Sequence, residues 1–407
     1  MGFKLRILSI DNRKILEEVM QEIKVDPYGI KIMSQKGISH FIRINSVSNI
    51  AANILKQEML SFGGDVAIPR DALTGKFKKA DCLIMGNLSQ INRLNKKLNH
   101  QPFGLSHLAG QLQICLDNYQ KDSFTIDLGR HKLHLGRRTL VMGILNLTPD
   151  SFSGDGLYAL HVARRTSHVE DIVEKAQQMI GDGADIIDLG GESSRPGAKP
   201  VSLKEELSRT LPVVKALAKK IKIPISIDTC KPEVAKQALG SGAVIVNDIT
   251  GLRNSLMCKV ISRNNCAVII MHMKGNPRTM QRSHFYKNLI DEIIEFLDTS
   301  IVKAQDLAVH RNKIIIDPGI GFGKSIEDNL EILKRLSEFK VLGRPIMIGA
   351  SRKSFLGKIL HAQPDQRISG TVSSSILAAQ NGAKILRVHD VKQVKQALKV
   401  LDAINNS

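Results

Sequence analysis

The stretch Thr139-Leu-Val-Met-Gly-Ile-Leu145-Asn146-Leu-Thr-Pro-Asp150 decides the fold: an apolar run stops at an amide and breaks into a polar turn containing proline. Bounded in this way, such a run reads as a strand buried on both faces. The pattern repeats along the chain, each run giving way to a polar or glycine-containing turn and then an amphipathic helical stretch. Further strands are predicted at Asp185–Leu189, Pro224–Ile227, Val244–Val246, Ala267–Met271, Lys313–Ile316, Pro345–Ile348 and Lys384–Val388. Val169–Ile180, Leu203–Lys220, Pro232–Leu239, Leu289–Ala308, Ile326–Leu336 and Val391–Ala403 are among the helices between and after them. Eight such units in about 270 residues match a closed (β/α)8 TIM barrel of the α/β class, whereas an open doubly wound sheet usually stops at about five or six strands.

In such a barrel the chemistry gathers where strands end. Polar groups stand at each of those positions: Asn146, Gly190-Gly191-Glu192, Asp228, Asn247-Asp248, His272, Asp317, Ser351-Arg352-Lys353 and His389-Asp390. They are expected to converge on one mouth.

The remainder of the chain reads differently. Residues 1–135 mix strand-like runs (Lys4–Ile10, His40–Ile44, Asp81–Met85) with helices (Lys14–Ile23, Val47–Leu60, Leu88–Leu98), which predicts a smaller N-terminal α/β or α+β accessory domain without a catalytic constellation. The basic stretch Arg130–Arg138 is the expected junction, and residues 136–407 the expected catalytic barrel.

At 407 residues, 43% hydrophobic and 24% charged, the chain is neither disordered nor coiled-coil. No apolar run approaches the roughly 18 residues of a membrane span, and the opening Met1-Gly-Phe-Lys-Leu-Arg6 does not lead into a signal-peptide core. The cysteines Cys82, Cys115, Cys230, Cys258 and Cys266 form no C-x-x-C pair, so a reducing cytoplasmic location is expected. The net charge of +19 raises the question of nucleic acid, but residues 1–135 hold 19 Lys and Arg against 12 Asp and Glu, so the excess is spread along the chain. With no Trp and only 4 Tyr to stack on bases, small anionic substrates are the expected partners, with neither nucleic acid nor membrane.

Several residues carry specific chemistry. Asp228, Asn247 and Asp317 end strands of Ile and Val, where a carboxylate is costly unless it meets a donor. A heterocycle with amino and ring N–H groups satisfies that need; pairing with lysines such as Lys353 is the structural alternative. Arg195, in Gly190-Gly-Glu-Ser-Ser194-Arg-Pro196-Gly197, offers a planar fork suited to phosphate oxygens. Arg387 and His389 follow the eighth strand, where this fold recurrently binds phosphate. Asp317-Pro-Gly319-Ile-Gly-Phe322-Gly323-Lys324 is not a nucleotide phosphate loop, because its glycines are spaced one residue too closely. His272 has no second ligand at metal spacing and is expected to be a packed core histidine.

Taken together, Asn146-Leu-Thr-Pro-Asp-Ser-Phe152, Gly191-Glu-Ser-Ser-Arg-Pro-Gly197, Ile227-Asp228-Thr, Asn247-Asp-Ile249, Asp317-Pro-Gly-Ile-Gly-Phe-Gly-Lys324 with Ser351-Arg-Lys353, and Arg387-Val-His-Asp390 resemble the dihydropteroate synthase family, motif by motif and in order. The resemblance implies that 6-hydroxymethyl-7,8-dihydropterin diphosphate is joined to p-aminobenzoate, releasing 7,8-dihydropteroate and pyrophosphate with Mg²⁺. It implies a pterin site of Asp228, Asn247, Ile249, Met271, Asp317, Phe322, Gly349 and Lys353. Asn146, Arg195, Arg387 and His389 would hold the diphosphate, with Asn146 also a Mg²⁺ ligand, and Phe152, Ser194, Arg195, Pro196 and Ser351 would form the p-aminobenzoate pocket. Asp228, Lys353, Arg387 and His389 are the implied catalytic residues, and a homodimer and sulfonamide sensitivity are further implications. The chain reads Ser151-Phe-Ser-Gly154-Asp155-Gly156 where the family commonly has Ser-Phe-Ser-Asp-Gly-Gly, and Ser194 where Thr is common. A pterin-binding methyltransferase domain, or a non-catalytic pterin-binding regulatory protein, is the alternative.

Overall fold

The structure, a computed structural model, describes residues 4–10, 12–74, 78–147, 168–193, 200–275 and 285–405. Its first unit, Met1–Asp117, is built on an antiparallel sheet with β3 (Lys79–Asn87) between β1 (Ser39–Ser48) and β2 (Asp65–Ala67). Helices Asn49–Ser61, Leu88–Leu98 and Leu105–Gln120 bury Leu55, Met59, Ile91, Leu94, Leu98 and Leu112 in a common core with Ile84 of the sheet. Asn87 and Gln90 close a reciprocal cap at the start of Leu88–Leu98, so the expected boundary is met there. The expected strand Lys4–Ile10 is not formed, and Leu5 and Ile7 are exposed. Alternation alone does not make a strand when no neighbouring edge completes the hydrogen-bond ladder.

In the second unit, Asn118–Ser407, the strands β6 (Leu140–Asn146), β7 (Ile186–Gly190), β8 (Ile225–Asp228), β9 (Ile245–Asp248), β10 (Ala267–Met271), β11 (Ile314–Asp317), β12 (Ile346–Ile348) and β13 (Ala383–Val388) close into a barrel in chain order. All eight pairings are parallel, and each strand lies within two residues of its expected position. Residues alternate between two apolar environments, as a period of two requires. Val141, Ile187, Leu189, Ile227, Val246 and Ile316 pack outward with the helices. Met142, Ile186, Ile245, Ile269, Ile315, Met347 and Ile385 fill the interior.

The structure divides the chain earlier than the expected break after residue 135. The antiparallel hairpin of β4 (Phe124–Asp127) and β5 (Lys132–Leu135) adds Ile126, Leu128, Leu133 and Leu135 to the same interior cluster. It plugs the barrel floor, and Lys313, just before β11, donates to the Asp127 carbonyl. The basic stretch Arg130–Arg138 is thus inside the second unit: burial of its apolar neighbours, and not local charge, sets the boundary. Among the described residues no helix is long and apolar enough to cross a membrane.

If the hairpin is a structural plug, Ile126→Ala lowers the unfolding free energy by about 2–4 kcal/mol in a denaturant titration. Unaltered stability would contradict this role.

Candidate active site

The strand period that buries Ile186, Ile245, Ile315 and Ile385 also fixes what stands two residues later along each strand. Asp188, Asn247, Asp317 and Arg387 form the next inward layer, a polar storey on an apolar floor. In the register Asn146 pairs with Gly190, Gly190 with Asp228, and Asp228 with Asn247, which sets the ends of four neighbouring strands side by side. Beside this layer Met271, Met273 and Phe322 cluster with Ile249 to give an apolar wall. The structure therefore brings together most of the residues expected to face a flat heterocycle.

Arg387 organises the charges. Its Nε donates to Asp188 Oδ2 at 2.6 Å and its Nη2 to Asp228 Oδ2 at 2.7 Å. Burial works against the guanidinium charge, but the two carboxylates outweigh it and hold Arg387 a cation. Asp228 has the opposite balance. Desolvation dominates, Arg387 only partly offsets it, and Asp188 and Glu206 add repulsion, so its carboxyl is pushed up to about 7. Arg387 is hydrogen-bonded to Asp228, and the lysine considered from sequence, Lys353, adds its charge to both Asp228 and Asp317. Burial likewise raises Asp317, whose Oδ1 accepts from the Gly319 amide at 2.7 Å.

The loop after β11 explains its glycines. Gly319 has φ +76, and a Cβ there would stand 1.9 Å from the His272 carbonyl oxygen; Gly323 has φ +63, with the Lys274 carbonyl oxygen 2.6 Å from the same position. Only glycine permits this path across the end of β10. Lys324 pins the loop, its Nζ 2.9 Å from His272 Nδ1 and 3.2 Å from the Phe322 carbonyl oxygen. Burial pushes Lys324 down to about 7 and His272 down to about 2, so His272 is a neutral core residue, set edge-on to Phe296. Lys353 lies against the same loop, with its Nζ 4.0 Å from the centre of the Phe322 ring.

The two adjacent cations after β12 separate. Arg352 turns away with φ +56 to pair with Asp390 at 2.6 Å, leaving Lys353 directed to the glycine loop. Ser351 Oγ lies 3.1 Å from His389 Nδ1 and accepts from the His389 amide at 3.2 Å, which ties the loops after β12 and β13 together. Gly349 lies beside Arg387, with ordinary contact distances of 3.8 Å and more to where its Cβ would be. Asp248 accepts from Thr250 and Leu252 and braces its own loop. Glu192 and Glu206 both pair with Lys231, a scaffold at the root of the loop after β7. Phe152, Asp155, Ser194, Arg195 and Pro196 lie outside the described residues.

Sequence reasoning passed over Asp188, Ser226 and the bond between Lys324 and His272. Asp188 had a signal: a single charge inside Ile186-Ile-Asp-Leu-Gly190, in phase with the inward positions. Asn146 is the oxygen donor expected to meet a metal ion. Its Oδ1 lies 3.6 Å from where a Gly190 Cβ would stand, a position 3.9 Å from Asp228 Oδ2. Among the described residues no group of three His, Cys, Asp or Glu is able to hold a metal. One neutral oxygen at the mouth fits Mg²⁺ that takes most of its shell from phosphate oxygens and water.

Comparison with known proteins agrees with this geometry. The profile of the pterin binding enzyme family matches residues 142–389. The dihydropteroate synthase of Synechocystis sp. is 45% identical over 281 residues, covering 69% of this chain and 94% of that protein. A probable bifunctional folylpolyglutamate synthase/dihydropteroate synthase of Halobacterium salinarum is 37% identical over 97% of this chain and 46% of its own length, so that match takes in the first unit as well. The solved dihydropteroate synthase of Xanthomonas albilineans with 4-aminobenzoic acid superposes with a TM-score of 0.64 at 38% identity, covering 70% of this chain and 99% of that one.

The raised Asp228 carboxyl has a sign that stability measurements read. Its contribution to folding is complete below the ordinary value of 3.8 and is lost as pH rises through about 7. Asp228→Asn is therefore expected to match or exceed the wild type at pH 8, by on the order of 1 kcal/mol, with the gap closing near pH 5. A variant less stable than wild type at pH 8 but equal to it at pH 5 would reverse the assigned sign.

Proposed function

This chain belongs to the pterin-binding enzymes and, among them, to the dihydropteroate synthases, and we propose that the inward polar layer of its barrel is the cradle for the pterin half of the reaction. The enzyme condenses 6-hydroxymethyl-7,8-dihydropterin diphosphate with p-aminobenzoate, forming 7,8-dihydropteroate and pyrophosphate in folate biosynthesis. One observation carries the assignment of roles: Asp228 is paired with Asn247, and Asp317 with Met271, at the strand ends beside the Met271, Phe322 and Ile249 wall. Acceptors on one side and apolar surface on the other suit a flat ring with a donor-rich edge.

The reaction breaks the bond between the pterin methylene carbon and the diphosphate oxygen, and forms a bond from that carbon to the amine nitrogen. Positive charge develops on the methylene and ring as the diphosphate leaves. Asp228, ionised and desolvated, stabilises that charge at short range. Asp317 and Lys353 hold the ring, while Arg387 and His389 face the departing diphosphate, joined by Arg195. Ser351 fixes His389 and, with Phe152, Ser194 and Pro196, forms the p-aminobenzoate pocket. Neutralisation of the leaving group is the chemistry that Mg²⁺ supplies when bound, with Asn146 as its protein ligand. The attacking arylamine is weakly basic and already carries its lone pair, so no strong general base is needed; its proton leaves after the new bond forms.

A homodimer is the proposed assembly, supported by the exposed Leu360, Leu377, Val400 and Ile404 on the outer helices. A cytoplasmic location is supported by the five free cysteines, of which Cys266 is buried and pushed up to about 12 by desolvation. The first unit is proposed to be an accessory domain.

Two outcomes test the reading. Pyrophosphate release is expected only when both substrates are present, and sulfonamides are expected to compete with p-aminobenzoate alone; release without the amine would refute a condensation. Asp228→Ala and Arg387→Ala are each expected to lower kcat/KM at least about 100-fold while the variants still melt cooperatively. Near-normal turnover of either folded variant contradicts the assigned roles.

A further inference from the structure

Asp188 is wholly buried in the middle of β7. A carboxylate there costs stability unless its oxygens are used. A single oxygen, Oδ2, serves two partners: it accepts from Arg387 Nε at 2.6 Å and from Asn247 Nδ2 at 3.2 Å. Its other oxygen, Oδ1, is buried without a hydrogen-bond partner, as are Asn247 Oδ1 and Ser226 Oγ on the two following strands. Asp188 is level with Ser226, and Asp228 with Asn247.

These bonds settle a choice that an amide leaves open. A free asparagine can present either its donor or its acceptor end to a ligand. At Asn247 the donor end is committed to Asp188, so the carbonyl oxygen is the end that remains. The same carboxylate solves a second problem. Arg387 Nη2 is bonded to Asp228, the group proposed to turn to the pterin, and a guanidinium that lost this partner would be free to follow it or drift. Its Nε stays anchored on Asp188.

Resting on the dihydropteroate synthase reading above, we propose that Asp188 is a positioning residue for ring recognition: it locks the Asn247 amide with its carbonyl oxygen left to accept a ring N–H, and keeps Arg387 in place when Asp228 engages the pterin. Asp188 touches no reacting atom. The oxygen it leaves free, Asn247 Oδ1, is an acceptor without a protein partner and selects a ring edge that donates.

The test is steady-state kinetics of the full-length wild type, Asp188→Asn and Asp188→Ala, each substrate being varied in turn, with thermal melting of all three. Asp188→Asn keeps the shape and one acceptor, and its KM for the pterin diphosphate is expected to rise about 3–10-fold. Asp188→Ala frees the Asn247 amide and is expected to raise it at least about 30-fold. In both, KM for p-aminobenzoate stays within about twofold of wild type, a split that general loosening of the barrel would not produce. A parallel rise in both KM values overturns the proposal. If Asp188→Ala does not fold, Asp188→Asn decides, and an unchanged pterin KM in that variant overturns the proposal. A wild-type chain without turnover sinks the synthase reading itself, and the role of Asp188 with it.

Discussion

Inside a closed barrel a charge has only the barrel to answer it. The guanidinium of Arg387, set between the carboxylates of Asp188 and Asp228, is the arrangement on which the rest of the site depends. Removing Arg387 leaves two buried carboxylates uncompensated in a desolvated layer, so the guanidinium is what holds the group together. The set is nonetheless unevenly satisfied. Arg387 is firmly charged, whereas Asp228 is poised near neutrality, its ionised form disfavoured until a better donor arrives. A ligand rich in N–H groups supplies that donor, which makes the cost of burying Asp228 a source of affinity for the right ring.

Around this unit the chain separates scaffold from chemistry. Arg352 pairs with Asp390, Lys231 spans Glu192 and Glu206, and Lys324 is buried against His272; these bonds hold loops and strand ends in register. The residues they hold, Lys353, His389 and the glycine loop, are the ones that meet substrate in the proposed reaction. Two neighbours in sequence, Arg352 and Lys353, thus belong to different halves of the design because a left-handed backbone at Arg352 sends their side chains apart.

The fold was legible because a parallel barrel writes its strands as short apolar runs and its chemistry at their ends, and each run was found close to where it was expected. Asp228, Asn247 and Asp317 could be read for the same reason. What was missed follows from non-local packing. Asp188 hides inside a strand, where only the inward phase set by Ile186 marks it, and its partner Arg387 is 199 residues away. The hairpin at Phe124–Leu135 falls within the expected N-terminal domain because nothing in its composition states that the barrel floor needs covering. Lys4–Ile10 failed in the opposite sense: its alternation was real, but a strand requires an edge to pair with.

A crystal structure of the full chain with 6-hydroxymethyl-7,8-dihydropterin diphosphate bears on all of this at once. The ring is expected at the polar storey, flat against Phe322 and Met271, with its N–H groups about 3 Å from Asn247 Oδ1, Asp228 and Asp317, and with Arg387 Nε still on Asp188. A ring seated elsewhere on the barrel mouth, leaving Asn247 Oδ1 unmet or Arg387 detached from Asp188, would contradict the account.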